Sequence, residues 1–136
     1  MKRTVITVGG NGMLSIPSNL ENLWMSEGEL VDMLHVTAPK LNSVIRAIYK
    51  EGMLLMSKVQ QRQELSKGIW QTLYGFPMVV AICFRLTSNG AAQLRDAIFK
   101  RLYHQISAVD MHRENLDSSA LIRYSPVKDE QINFQN

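Results

Sequence analysis

Between Ser26 and Gly52 the chain carries start and stop signals for two consecutive helices with very little chain between them. Ser26 supplies a hydroxyl able to cap exposed N–H groups, and Glu27 and Glu29 follow where a helix dipole favours carboxylates. Leu30, Met33 and Leu34 then recur at spacing i, i+3, i+4. His35 stands where the chain must turn. Thr37 is a second N-cap, and Pro39 lies in the first turn of the next helix, where a missing N–H matters least. Leu41, Val44, Ile45, Ile48 and Tyr49 form an apolar stripe, and Gly52 fits the position just past the last turn. Two helices joined by about four residues, the second amphipathic, are expected to form a helix-turn-helix.

The second helix, 37–51, carries Lys40, Asn42, Ser43, Arg46, Ala47 and Lys50 away from its apolar stripe. If it enters a major groove, Asn42 and Arg46 can read base edges, while Thr37, Lys40 and Lys50 hold phosphates. The competing reading is the solvated side of a core helix. Charge distribution bears on the choice. Residues 20–34 carry four acids and no base, whereas residues 40–101 carry ten bases against three acids. From Asp110 onward five acids face three bases. A basic middle between acidic segments is the footprint a polyanion partner would need.

The remaining chain reads as a mixture of hairpins and helices. RTVITV-GGNG-MLSIP places two β-branched or aliphatic runs around a Gly-Asn turn, a β-hairpin signal, and Pro17-Ser18-Asn19 follows the second run. MLLMSKVQQRQ, ELSKG and IWQTLYG form a second hairpin pattern, placed where a winged helix-turn-helix carries its wing. Strand alternation there puts Lys58, Gln60 and Arg62 on one face, so Lys58, Arg62 and Lys67 become candidate wing contacts to phosphate or the minor groove. MVVAICF is ambiguous between buried strand and buried helix; Gly75 and Pro77 before it favour a helix over 77–86. Ser88-Asn89-Gly90 opens an amphipathic helix over 88–106, using Ala91, Leu94, Ile98 and Leu102. Beyond it the pattern fades, and VKDEQINFQN is expected to be loosely held. The expected fold is therefore α+β: a winged helix-turn-helix-like domain over 1–106 with an N-terminal β-hairpin, a second hairpin as wing and two further C-terminal helices. Residues 107–136 are read as a C-terminal extension.

Other function classes fare less well. At 136 residues and 46% hydrophobic content the chain can build one real core. Its single cysteine excludes an intrachain disulfide and fits a reducing cytoplasm. No apolar run approaches the ~18 residues of a membrane span. His104, Asp110 and His112 share no helix face that would hold a metal, and Cys83 sits mid-run as a small buried hydrophobe. The GGNG turn lacks the Lys-Ser/Thr and helix of a phosphate loop. Neither catalysis nor a cofactor is expected.

Two longer phrases of this chain resemble the N-terminal region of the RhuM-like virulence-protein family of bacteria. They are LWMSEGELVDMLHVTAPKLNSVIRAIYKEGML and LYGFPMVVAICFRLTSNGAAQLRDAIFKRL. Trp24, Ser26, Leu30, Val36, Thr37, Pro39, Leu41 and Ile45 carry the first likeness. Tyr74, Phe84, Arg85, Ser88, Gln93 and Arg95 carry the second. The resemblance implies a helix-turn-helix-like fold and DNA binding. The chain departs from the family pattern at His35, which replaces a turn glycine, and at Ala38 and Ser43, which replace two arginines of the second helix. Ala97 and Cys83 replace a tryptophan and a glycine. Arg85 and Arg95 recur in the pattern, yet each adjoins an apolar face, so both are expected to serve structure by pairing with backbone carbonyls or with Asp96.

Two functions follow as expectations. The first is a transcriptional regulator of double-stranded DNA. The second is a protein–protein interaction module that keeps the fold without DNA. A homodimer suits either, with Phe99 and Tyr103 at i, i+4 as its candidate seam.

Overall fold

The computed structural model describes residues 2–116, with side chains through residue 107. It is a mixed α+β structure with five helices and two small antiparallel sheets among the described residues. The described residues divide into two units, the first ending at Ile98 and the second beginning at Phe99.

In the first unit, β1 (Thr7–Val8) and β2 (Leu14–Ser15) make the expected N-terminal hairpin. Its turn is closed by Gly9 N–H donating to the Met13 carbonyl at 2.8 Å and by Met13 N–H donating to Asn11 Oδ1 at 3.1 Å. Gly12 takes the positive φ of 80° that this turn needs. A short strand, β3 (Trp24–Ser26), then leads into α1 (Glu27–Leu34). Ser26 and Glu29 form a capping box: Glu29 N–H donates to Ser26 Oγ, and Ser26 N–H donates to Glu29 Oε1. Burial alone would raise the Glu29 pKa, but Arg3 at 2.8 Å and the Ser26 donors outweigh it and hold the carboxyl below its ordinary value.

His35 ends α1 in the left-handed region, φ 57° and ψ 51°, and its N–H donates to the Val31 carbonyl. Histidine adopts this conformation more readily than bulky or β-branched residues, so the turn survives without glycine. Thr37 caps α2 (Ala38–Glu51), with Lys40 N–H donating to its hydroxyl at 3.3 Å, and Gly52 closes the helix at φ 81°. Leu41, Val44, Ile45 and Ile48 are buried, as their spacing requires.

The next segment departs from expectation. Residues 56–59 wind into a helical turn, α3 (Met56–Val59), rather than extending as strand. The turn carries Val59 into the core and leaves Lys58 exposed on the helical turn, off the strand face of Arg62. β4 (Gln60–Ser66) and β5 (Ile69–Gly75) pair around Lys67 and Gly68, with Gly68 at φ 80°. β5 lies between β3 and β4, so residues far apart in sequence share this sheet, as in Trp24 opposite Gly75.

The ambiguous apolar run is a helix, α4 (Phe76–Cys83), three residues shorter than its expected end. α5 begins at Asn89 under a Ser88 cap and continues to Leu116, beyond the expected 106. Its added residues contain neither glycine nor proline, so nothing local stops it. Residues 117–136, including the VKDEQINFQN segment, lie outside the described residues. The core of the first unit gathers Leu23, Met25, Leu30, Leu34, Leu41, Ile48, Tyr74, Met78, Ile82 and Leu94. No helix among the described residues is long and apolar enough to cross a membrane.

Candidate nucleic-acid interface

The stripe that buries α2 also dictates what remains outside. Lys40, Ser43, Arg46, Ala47 and Lys50 are exposed on its free side. From Lys40 to Lys50 this face runs about 15 Å along the helix. Asn42 is only partly exposed and sits at the edge of the face, while Thr37 is exposed at its start with its hydroxyl oxygen engaged by the Lys40 amide. Six of the sequence-derived candidates therefore belong to one helix, with Asn42 the least accessible.

The electrostatics of that face depend on one acid. Glu51 is the only acid of α2, and it forms an ion pair with Arg85, 34 residues away. Among the described residues, Lys40, Arg46 and Lys50 have no ion pair. The face therefore presents three cations to solvent with no carboxylate among them. Tyr49, at the edge of the buried stripe, donates its hydroxyl to Gln60 Oε1 at 2.7 Å and so ties the end of α2 to the start of β4. Burial, and secondarily the neighbouring Tyr74, pushes the Tyr49 phenol up to about 12, so it is a permanent donor in this bond.

The remaining candidates are less unified. Lys58 stands on α3, Arg62 on β4 and Lys67 in the hairpin turn, all exposed. Only Arg62 and Lys67 belong to the hairpin. Arg62 does not project alone: its guanidinium carbon lies 5.0 Å from the centre of the Trp70 ring. Trp70 was not among the sequence-derived residues. Its relation to Arg62 follows from the pairing of Arg62 with Thr72 and Glu64 with Trp70, which makes the two side chains diagonal neighbours.

Arg85 and Arg95 play the expected structural part. Arg95 Nη1 donates to the carbonyls of Cys83 and Leu86, each at 2.6 Å, and Arg85 Nη1 donates to the Ala81 carbonyl at 3.2 Å. Arg85 also holds Glu51. Cys83 is fully buried, and burial pushes its thiol up to about 11 despite an opposing pull from Arg95. A water-soluble alkylating reagent at pH 8 is accordingly expected to leave the native thiol unmodified and to label it only in denaturant. Rapid labelling of the folded protein would contradict the burial.

Comparison of the chain with protein-family models, with curated proteins and with solved structures finds no match in any of the three.

Proposed function

We propose that this chain is a winged helix-turn-helix protein that binds double-stranded DNA as a transcriptional regulator, without catalysis, with α2 laid in the major groove. One observation carries the reading: α2 exposes Lys40, Arg46 and Lys50 together while its sole acid is drawn off by Arg85. The order β3, α1, α2, β4, β5, with β5 between β3 and β4, supports it, because it sets a hairpin beside a helix-turn-helix. In this reading Arg46 and Asn42 address base edges, Thr37, Lys40 and Lys50 address phosphates, and Ser43 lies on the same DNA-facing side. Lys58, Arg62 and Lys67 add contacts from α3 and the hairpin.

The test is fluorescence anisotropy of a generic 30-base-pair duplex at several salt concentrations, with the wild type and with Lys40→Ala, Arg46→Ala and Lys50→Ala combined. Each phosphate contact adds about −0.9 to the log–log salt slope, so the triple variant should flatten it by roughly two to three units. All three side chains are exposed, so the variant should retain the fold. No binding at low salt would sink the proposal.

A second reading, a protein-interaction module or homodimer, is favoured by one feature of the second unit. Phe99, Leu102, Tyr103 and Ile106 are all at least 42% exposed and recur at i, i+3, i+4, i+7 on α5, with the Phe99 and Tyr103 rings stacked at 6.4 Å. This is the spacing with which one helix seats another.

A further inference from the structure

The β4–β5 hairpin holds one cation in a prepared orientation. Arg62 stacks on Trp70, and both are exposed to solvent. The acid that could neutralise Arg62 is Glu64, on the same strand face. Its carboxylate instead accepts from Gly68 N–H at 3.5 Å, across the turn. Lys67 occupies that turn, and Leu65 and Ile69 flank it, each more than half exposed. The end of the hairpin thus carries an oriented guanidinium, an ammonium, the Glu64 carboxylate and two exposed apolar side chains.

Resting on the DNA reading above, in which this hairpin is the wing, we infer that Trp70 is the residue positioning Arg62 for the minor groove and that the stacked pair makes a narrow A·T-rich stretch the preferred ligand. A free arginine must be ordered when it binds, and that ordering opposes association. The indole has already ordered this one. A guanidinium is planar and more weakly hydrated than an ammonium, so it leaves water more readily for a confined groove. The narrow minor groove of an A-tract concentrates negative potential and draws arginine into it, whereas G·C-rich duplex presents a different groove and an added donor from guanine. Leu65 and Ile69 supply apolar surface at the tip of the hairpin, and minor-groove proteins insert side chains of this kind between base steps.

The experiment compares two 30-base-pair duplexes at one salt concentration, one built on A-tracts and one on G·C pairs alone. The proteins are the wild type, Trp70→Ala, Trp70→Phe, Arg62→Ala and the α2 triple variant. The wild type should prefer the A-tract duplex. Trp70→Ala should weaken that complex about threefold to fivefold, the scale of an exposed cation–π contact, and leave the G·C complex unchanged. Trp70→Phe, which keeps an aromatic face, should restore part of the preference, and Arg62→Ala should abolish it. Arg62→Ala reads the same site with the ring intact, so it decides the matter if Trp70→Ala folds poorly. Equal affinities of the wild type for the two duplexes, with the α2 triple variant still weakening both, would overturn this inference and leave the DNA reading standing. So would an equal loss on both duplexes in Trp70→Ala. Binding of neither duplex would overturn both.

Discussion

Gly90→Ala is expected to lower the stability of the protein by about 3 kcal/mol, at the upper end of the usual range for overpacking. Gly90 is buried in the first turn of α5, where the helix meets the end of α1. A Cβ at Gly90 would stand 2.2 Å from the Met33 carbonyl oxygen, 2.5 Å from the Leu34 carbonyl carbon and 2.7 Å from the Leu34 Cα. All three are backbone atoms, so no side chain can swing aside, and relief requires the two helices to separate. That separation would also pull the Ser88 hydroxyl from the Leu34 carbonyl to which it donates. Helix propensity acts the other way, since alanine is better than glycine by about 1 kcal/mol inside a helix, but the steric effect is the larger. Gly28 supplies the control. It lies in the first turn of α1, exposed, with open space around its missing Cβ. Gly28→Ala should stabilise by about 0.5–1 kcal/mol. Urea titrations of the two variants should therefore move the midpoint in opposite directions. A Gly90→Ala protein as stable as the wild type would contradict the close approach of α5 to α1.

Arg95→Leu is expected to cost about 2–3 kcal/mol, because it deprives two carbonyls of a charged donor. α4 ends at Cys83 without a glycine cap; Phe84 follows in the right-handed region at φ −82°. The carbonyl groups left over at such an end need other partners. Arg95 reaches back from α5 to supply them, binding the Cys83 and Leu86 carbonyls, and both of those residues are buried. Its positive charge also suits the negative end of the α4 dipole. Leucine keeps much of the apolar stem, so the loss reports the guanidinium rather than packing. Arg85→Leu, by contrast, breaks an exposed pair with Glu51 and should change stability by less than about 1 kcal/mol. If urea unfolding gave equal losses for the two arginines, the assignment of Arg95 as the terminator of α4 would be wrong.

Both arginines were expected to bind backbone carbonyls, yet only the fold distinguishes them. Sequence places each beside an apolar run; it does not tell which carbonyl lies within reach. The same division runs through the candidate interface. Lys40, Arg46 and Lys50 are visible as the complement of the stripe Leu41, Val44, Ile45 and Ile48, because a helix with one buried face must expose the other. The withdrawal of Glu51 toward Arg85 is not visible, because it joins residues 34 positions apart. Nor is the partnership of Arg62 with Trp70, since it needs the strand register and not merely the strands. Lys58 shows the opposite failure. Strand alternation groups it with Gln60 and Arg62, but Met56–Val59 form a helical turn, and period-two reasoning holds only where the chain is extended.

What the sequence determined by itself is the set of features whose causes lie within about one turn of chain. Ser26 and Glu29 cap α1, Thr37 and Gly52 bound α2, and the Gly-Asn turn closes β1 on β2. Each hydrogen bond there spans about four residues or fewer, so the residue types that make it appear together in the text of the chain. Tertiary structure alone decided that Trp24–Ser26 becomes a strand, that Arg95 caps the end of α4, and that Gly90 must be glycine. Those outcomes depend on pairings and close approaches between segments roughly ten to fifty or more residues apart, and such contacts arise only after the local elements have packed against one another.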